Sequence, residues 1–324
     1  MGPVEPVNRC VHRLALVVAL GVVAVNVLAY HHASSFFFYR DGGERTPSPE
    51  SLSWARKLGV LITGIRVPKP VAHSDPSDFG LTFSDISVPG REGMALAGWL
   101  IDRPDADTVV VLFHGYSSER SGLLPEARVF AELGCRVVMV DFPGSGGSPG
   151  NRTTLGIDEA RDVAAVFDWI ATVYPDRRIV LYGHSMGGAA IMRAMALLDV
   201  RPDAAVVESV FDSLLEAIRQ RFRLMSVPPF PLAEILLFWA GYQLDADGFG
   251  HDVVAYAGQV TAPTLILHGD GDTRADWRRA QRVFEALAAE RKAMKVIAGA
   301  GHVNPCLADP AAWREAVGAF LAAP

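Results

Sequence analysis

Cysteine is scarce in this sequence: Cys10, Cys135 and Cys306 are the three cysteines among 324 residues. Their number and spacing match neither a disulfide framework nor a metal-ligand motif. Each is therefore interpreted as an ordinary small residue of an apolar stretch or a loop. The sequence predicts no metal site and no cofactor.

The chain has fewer positive than negative residues: 30 Lys and Arg compared with 36 Asp and Glu, which gives a formal net charge of −6. A protein that binds nucleic acid usually presents a basic surface to the phosphates. Nucleic acid is therefore not expected as a partner. Residues 141–148 form a glycine-rich segment, but this segment lacks the lysine with which a P-loop holds phosphate.

Apolar residues, by contrast, make up 50% of the chain, and a long run of them lies near the N-terminus. Residues 14–29 are almost wholly apolar, with Asn26 the only strongly polar member. Counted over 11–30, the run reaches the length of about 20 residues that crosses a bilayer core as a helix. Arg9 and Arg13 precede it, and this charge favours a cytoplasmic N-terminus with the rest of the chain outside.

A cleaved signal peptide is the alternative interpretation, because Val27 and Ala29 place small residues where a signal peptidase cuts. Both interpretations carry the rest of the chain across a membrane. Residues 1–30 are thus predicted to be a membrane anchor or signal segment, and 31–78 a juxtamembrane connector. Within that connector, the aromatic run 36–39 is expected at the bilayer interface, where aromatic rings are favoured.

Residues 79–324 alternate between strand and helix patterns and are predicted to form one domain. Helical spacing follows most strands, and the central strands are continuous β-branched or apolar runs, which indicates burial on both faces. This alternation predicts an α/β fold with a mostly parallel central sheet and helices on both faces. The predicted strands are 83–88, 94–101, 108–113, 136–140, 178–182, 204–207, 263–268 and 294–297.

An insertion at about 211–259 interrupts the alternation. Its helical segments are rich in large apolar residues, and Pro228, Pro229 and Pro231 divide it into two arms. Its position after a central strand predicts a helical cap over the site described next. The alternative is that these apolar residues simply fill the core.

Residues 183–187 read Gly-His-Ser-Met-Gly, with the apolar strand 179–182 before them and a helix pattern after them. The G-x-S-x-G pattern forms a sharp strand-to-helix turn that exposes its serine hydroxyl to substrate. A serine hydroxyl is a weak nucleophile until a neighbouring base takes its proton. The pattern and its context predict that Ser185 is a catalytic nucleophile.

Together with His-Gly at 114–115 and the segments 141–146, 268–272 and 301–302, this motif resembles the α/β-hydrolase superfamily over residues 79–324. Within it, the chain is similar to the branch that holds monoacylglycerol lipases, serine aminopeptidase-like proteins and membrane-anchored acyl-protein thioesterases. The resemblance implies the α/β-hydrolase fold and acyl transfer by a Ser-His-Asp triad. It also implies that residues 141–146 form a structural turn near the site.

The chain order of that family is serine, acid, histidine, which implies His302 as the base and Asp272 as the acid that orients it. Two neighbouring carboxylates remain open as alternatives: Asp270, which is expected to shape the turn, and Asp276, which is expected to cap the next helix. Glu208, at the end of a predicted strand, is a further candidate because some relatives carry the acid there.

The resemblance further implies an oxyanion hole made by the backbone N–H groups of Tyr116 and Met186. The expected activity is hydrolysis of an ester or thioester that carries an acyl chain or another hydrophobic group. A peptidase or amidase with the same triad is the first alternative. A non-catalytic binding protein on the same scaffold is the second.

Overall fold

Eight strands form one sheet in the computed structural model, which describes residues 5–303 and 305–323. Their order across the sheet is β1-β2-β4-β3-β5-β6-β7-β8; β1 and β2 run antiparallel to their neighbours, and the remaining pairs are parallel. The predicted mostly parallel sheet is therefore confirmed. The strands are β1 (Ser84–Pro89), β2 (Ala95–Ile101), β3 (Thr108–Phe113), β4 (Arg136–Val140), β5 (Arg178–His184), β6 (Ala204–Glu208), β7 (Thr264–Gly269) and β8 (Lys292–Ile297).

The helices cover both faces of this sheet, and strand β3 shows why. Val109, Val111 and Phe113 point into one hydrophobic core, while Val110 and Leu112 point into the other. Successive side chains of a strand face opposite ways, so a strand buried on both sides needs apolar residues at every position. The helices are α1 (Glu5–Phe37), α2 (Trp54–Thr63), α3 (Leu124–Glu132), α4 (Glu159–Val173), α5 (Met186–Leu197), α6 (Leu214–Leu224), α7 (Leu232–Leu244), α8 (Val253–Ala257), α9 (Trp277–Ala286), α10 (Pro305–Ala308) and α11 (Pro310–Ala322).

The N-terminal apolar run forms helix α1, which continues past residue 30 to Phe37. Its part Val11–Phe37 is long and apolar enough to cross a membrane or to be a signal segment. The end of α1 belongs to the folded body, since Ala33 is fully buried there and Phe37 is 2% exposed. Within the aromatic run 36–39, Phe37 and Tyr39 are buried in protein, so the expected place at a bilayer interface is wrong for these two; Phe36 and Phe38 are partly buried.

The insertion at 211–259 contains α6, α7 and α8. Helix α7 lies along α1 and also contacts α6. Several of its apolar side chains, among them Leu236, Leu237 and Ala240, belong to the main hydrophobic core, whereas Phe238 is 56% exposed. The insertion thus fills core on one side and presents apolar surface on the other.

Candidate active site

Ser185 lies at the turn between β5 and α5, with φ +50° and ψ −109°. A non-glycine residue in this region is strained, and such strain is common at functional sites. The flanking glycines are required by close backbone packing: a Cβ on Gly183 would lie 2.5 Å from the carbonyl carbon of Gly187. A Cβ on Gly187 would lie 2.2 Å from the carbonyl oxygen of Phe113. The turn therefore admits no side chain at either position.

Asp272 and His302 come together from two loops that follow β7 and β8. The His302 Nδ1–H donates to Asp272 Oδ2 at 2.7 Å. The other carboxylate oxygen accepts from the backbone N–H groups of Arg274 at 2.8 Å and Ala275 at 2.9 Å. This carboxylate is thus fixed by backbone donors while it holds the imidazole in one orientation.

The environment keeps Asp272 ionised although it is only 6% exposed. Burial by itself raises the pKa of Asp272, but hydrogen bonds from His268 and His302 outweigh it and hold the pKa well below its usual range. The His268 Nε2–H lies 3.3 Å from Oδ2 and donates to the Ala275 carbonyl at 2.6 Å. A charged carboxylate can accept the far ring N–H of His302 and stabilise its protonated form.

His184 connects the serine turn to the His302 loop. Its Nε2–H donates to the backbone carbonyl of His302 at 2.8 Å, and the two imidazole rings lie 5.4 Å apart. Burial, followed by the charge of His302, lowers the pKa of His184 to about 4, so this ring is neutral. Among the described residues, the Ser185 hydroxyl makes no hydrogen bond to His302. The sequence did not predict the His184 contact, because its place next to the serine was interpreted as pointing the ring away from the nucleophile.

The model of the α/β-hydrolase family matches residues 110–316, which include the serine turn and both loops. The chain belongs to the α/β-hydrolase family. It is 29% identical to an uncharacterized protein of Mycobacterium tuberculosis over 242 residues, which cover 73% of this chain and 78% of that protein.

Two further similarities connect this hydrolase to characterised proteins. It is 26% identical over 271 residues to the lysophosphatidylserine lipase ABHD12 of Mus musculus, covering 72% of this chain and 63% of the lipase. Its structure resembles the esterase Pf2001 of Pyrococcus furiosus with a TM-score of 0.66 and 25% identity, covering 78% of this chain and 96% of the esterase. These neighbours support hydrolase activity for this chain.

The other candidate carboxylates of the hydrolase have different partners. Asp270 accepts from the backbone N–H of Gly299 at 2.7 Å, and Asp276 caps α9 by accepting from the N–H of Arg278 at 3.0 Å. Glu208 is fully buried, and its carboxylate accepts from the Tyr182 hydroxyl at 3.0 Å and from the Trp313 indole N–H at 2.6 Å. Of these four carboxylates, Asp272 is the one hydrogen-bonded to His302.

The two backbone groups implied for an oxyanion hole lie beside the same turn. Met186 begins α5, so its N–H has no acceptor within the helix. Tyr116 follows β3, where a Cβ on Gly115 would lie 2.8 Å from His184 Nδ1, so this loop runs close against the serine turn. The Tyr116 phenol donates to the carbonyl of Phe36 at 2.7 Å, and burial raises its pKa to about 12.

The glycine-rich segment 141–148 forms a tight turn around Asp141. This buried carboxylate pairs with Arg120 and accepts from the N–H of Gly147 at 2.9 Å. A Cβ on Gly146 would lie 1.9 Å from Asp141 Oδ2, so the turn requires glycine there. The arrangement is that of a structural turn, as the resemblance implies.

Cys135 and Cys306 are buried free thiols, and burial raises the pKa of Cys135 to about 11. The side chain of Cys10 lies outside the residues whose side chains are described. Within 5–303 and 305–323, no three His, Cys, Asp or Glu side chains form a group that could hold a metal ion.

Proposed function

We propose that this hydrolase cleaves carboxylic esters or thioesters through an acyl-enzyme on Ser185. The observation that carries the proposal is the 2.7 Å bond between His302 Nδ1 and Asp272, held next to the strained serine turn. A nucleophile, a base and an acid that orients the base are the three parts of a serine-hydrolase triad.

In the proposed reaction, Ser185 Oγ attacks the carbonyl carbon of the substrate while His302 Nε2 takes the hydroxyl proton. The serine–histidine contact closes when substrate is bound, as catalytic contacts of free enzymes commonly do. The N–H groups of Tyr116 and Met186 stabilise the oxyanion, and Asp272 stabilises the imidazolium. His302 then protonates the leaving alcohol or thiol. A water molecule, deprotonated by His302, attacks the acyl carbon; the bond to Ser185 Oγ breaks, His302 returns the proton to Oγ, and the acid is released.

A substrate with an acyl chain is proposed because the loop after β3, which carries Tyr116, is hydrogen-bonded to the end of the apolar helix α1. The Tyr116 phenol bonds to Phe36 at the end of α1, and the Ser117 N–H donates to the Tyr39 hydroxyl at 3.2 Å. The loop that carries the proposed oxyanion donor is therefore built onto the apolar helix. The similarity to a lysophosphatidylserine lipase supports the same substrate class.

Helix α1 is proposed to remain as a membrane anchor, because its last turns are bonded into the insertion. The Trp239 indole N–H donates to Asn26 Oδ1 at 3.0 Å, and the Gln243 amide donates to the Tyr30 carbonyl at 2.7 Å. Asn26, the one strongly polar residue of the apolar run, thus has a partner in α7. The arginines before the run favour a catalytic domain on the extracytoplasmic side.

If the anchor is retained, the protein should be found in the membrane fraction, and its mass should be that of the uncleaved chain. The full-length protein, expressed in a Gram-negative host and extracted with detergent, should show an intact mass that includes residues 1–29. Cleavage after Ala29 would remove Asn26 and leave the Trp239 N–H without its acceptor. A matched fusion with a known cleavable signal in place of residues 1–29 provides the soluble control. A mature mass beginning at Tyr30 would contradict the proposal.

Chain-length preference tests the substrate class. p-Nitrophenyl esters from acetate to palmitate, in the same detergent, should be hydrolysed with kcat/KM at least about 10-fold higher for octanoate than for acetate, because each buried methylene contributes about 0.8 kcal/mol. The Ser185→Ala variant provides the background for every ester. A preference for acetate would remove the acyl-chain part of the proposal. Wild-type rates equal to that background on all esters would remove the hydrolase part.

A further inference from the structure

Exposed apolar side chains lie on or next to the two helices that contact α1 where it enters the folded body. Three lie on α2, one on the turn before α7, and two on α7, and all six are more than half exposed. We call these residues the apolar collar: Trp54 (69% exposed), Leu58 (56%), Ile62 (57%), Phe230 (73%), Phe238 (56%) and Tyr242 (71%). Isolated exposed apolar residues are common, but contiguous sets such as those on α2 and on α7 mark an interaction surface.

The α2 part of the collar is a single stripe. Trp54, Leu58 and Ile62 are spaced four residues apart, which places them on one helix face. Helix α2 has no buried residue, so packing within this chain does not explain the stripe. Hydrogen bonds nevertheless fix the position of α2. The His31 and His32 rings of α1 donate to the carbonyls of Thr63 and Leu61 at 2.9 and 2.8 Å.

Hydrogen bonds also hold α7 against α1, on a different face of α1 from the one that contacts α2. Besides the Asn26 and Tyr30 hydrogen bonds, the Trp239 ring packs edge-on against Tyr30, with centroids 5.4 Å apart. The exposed rings of Phe238 and Tyr242 pack against Trp239 in turn, at 5.3 and 5.8 Å. Lys57 of α2 also donates to the carbonyl of Leu224 at 2.9 Å, which connects α2 to the end of α6.

The contacts that α2 and α7 make with α1, from Asn26 to His32, lie near the depth where a bilayer containing α1 would end. A hydrocarbon core of about 30 Å takes about 20 helical residues at about 1.5 Å each. Counted from Val11, that length reaches about residue 30, which is the level at which α2 and α7 contact α1. Residues 11–24 of α1 are exposed along their whole length, so the protein itself does not cover the helix there.

We propose that the apolar collar docks on the bilayer that holds α1 and draws acyl substrates from it into the Ser185 site. The occupant is a lipid surface rather than a second protein, since the collar continues the apolar surface of α1. Tryptophan and tyrosine are favoured at membrane interfaces, and α2 carries Arg56 and no acidic residue that would repel lipid phosphates. The proposal rests on the retained anchor and on the hydrolase activity proposed above.

Docking also positions the Ser185 site relative to the bilayer, because α1 is hydrogen-bonded to the loop that carries Tyr116. The Phe36 carbonyl at the end of α1 accepts from Tyr116, and the Arg221 guanidinium of α6 lies 5.7 Å from both aromatic rings. A collar seated in the interface therefore holds the Tyr116 loop at a fixed height above the lipid. Without that contact, α1 still tethers the domain, but the domain can tilt away from the membrane surface.

Lipid contact can be measured without any assay of activity. The full chain is reconstituted in nanodiscs whose phosphatidylcholine carries bromine on the acyl chains, which quenches tryptophan fluorescence on contact. The quenched fraction lost in Trp54→Phe gives the contribution of Trp54, and Trp169→Phe, in α4 away from α1, is the matched control. We expect strong quenching of Trp54 and weak quenching of Trp169. Equal quenching of the two, as when a second protein covers the collar, overturns the proposal.

The functional test compares two triple variants of the full chain in liposomes. Trp54→Ser/Leu58→Ser/Ile62→Ser removes the α2 stripe. Val173→Ser/Leu197→Ser/Leu198→Ser changes three exposed apolar residues at the opposite edge of the sheet, where α4 and α5 end. We expect the first to hydrolyse p-nitrophenyl palmitate held in the same bilayer about 10-fold more slowly than the second, because an apolar helix face binds the interface through its buried area.

Water-soluble p-nitrophenyl acetate separates this proposal from the proposed function. Both triple variants should hydrolyse the acetate within about twofold of the wild type, since the stripe lies outside the catalytic groups. Equal palmitate rates for the two variants overturn the docking proposal even when the acetate is cleaved. Wild-type rates equal to the Ser185→Ala background on every ester instead contradict the hydrolase proposal, and the quenching measurement then still decides whether the collar contacts lipid.

Discussion

Replacement of Ser185 by alanine is expected to lower kcat for p-nitrophenyl butyrate by about 10⁴- to 10⁶-fold, the range found when a triad nucleophile is removed. No other group at the turn can form the acyl-enzyme, and what remains is the contribution of the oxyanion donors and of binding. Fluorophosphonate labelling of the purified protein should disappear with the same change. Both measurements use the full chain in detergent.

The stability of the variant shows whether lost activity reflects lost chemistry. Ser185 has φ +50°, where glycine is relaxed and other residues are strained. Ser185→Ala should therefore keep the wild-type Tm, and Ser185→Gly should raise it while remaining inactive. Ser53→Ala, at an exposed serine whose side chain makes no capping bond, is the control for serine removal. Residual activity of the Ser185→Ala variant above one-tenth of the wild type would show that another residue is the nucleophile.

Replacement of Asp272 by asparagine should have the second-largest effect, a fall in kcat of about 10⁴-fold. Asparagine keeps the shape of the side chain but presents an amide that cannot stabilise an imidazolium. It also favours the wrong tautomer of His302, whose Nδ1–H now donates to the carboxylate at 2.7 Å. KM should change little, because the loss arises in the transition state.

Asp270→Asn is the matched control, two residues away in the same loop. Asp270 uses its Oδ1 to accept from the Gly299 N–H, and an asparagine oxygen can accept the same bond. Its kcat should stay within about threefold of the wild type, as should that of Asp276→Asn, since asparagine caps helices as well as aspartate does. A large loss in either variant, with activity preserved in Asp272→Asn, would move the acid away from Asp272.

The pH dependence of stability provides a second check on Asp272. Its pKa in the folded protein lies well below the ordinary value of about 3.9. A depressed pKa contributes stability that is complete above the unfolded-state value and is lost as pH falls toward the folded-state value. The difference in unfolding free energy between wild type and Asp272→Asn should therefore shrink as pH falls below about 4.

Much of the fold could be predicted because its signals are local. The apolar run of β3 requires burial on both faces, and the alternation of strands with helices specifies a mostly parallel sheet. The serine turn was equally readable, since the backbone approach at Gly183 and Gly187 excludes any side chain. For the acid, the motif favoured Asp272 but left Asp270, Asp276 and Glu208 open.

The remaining features depend on contacts between segments far apart in the chain. Spacing could not show that the Asp272 carboxylate meets His302 or that His184 bonds to the His302 loop, because distances between loops are set by the packed sheet. The aromatic run at 36–39 was expected in the bilayer interface. Aromatic rings suit a protein core as well as a membrane interface, and the sequence carries no signal that distinguishes the two.

The sequence by itself determined the fold class, the serine turn and an apolar helix long enough for a membrane, because each follows from neighbouring residues. The tertiary structure decided which parts of the chain contact that helix. Asn26, Tyr30 and Phe36 lie on one helix, but their partners Trp239, Gln243 and Tyr116 come from α7 and from the loop after β3. Only folding brings these segments together, and it thereby joins the apolar helix to the wall of the candidate active site.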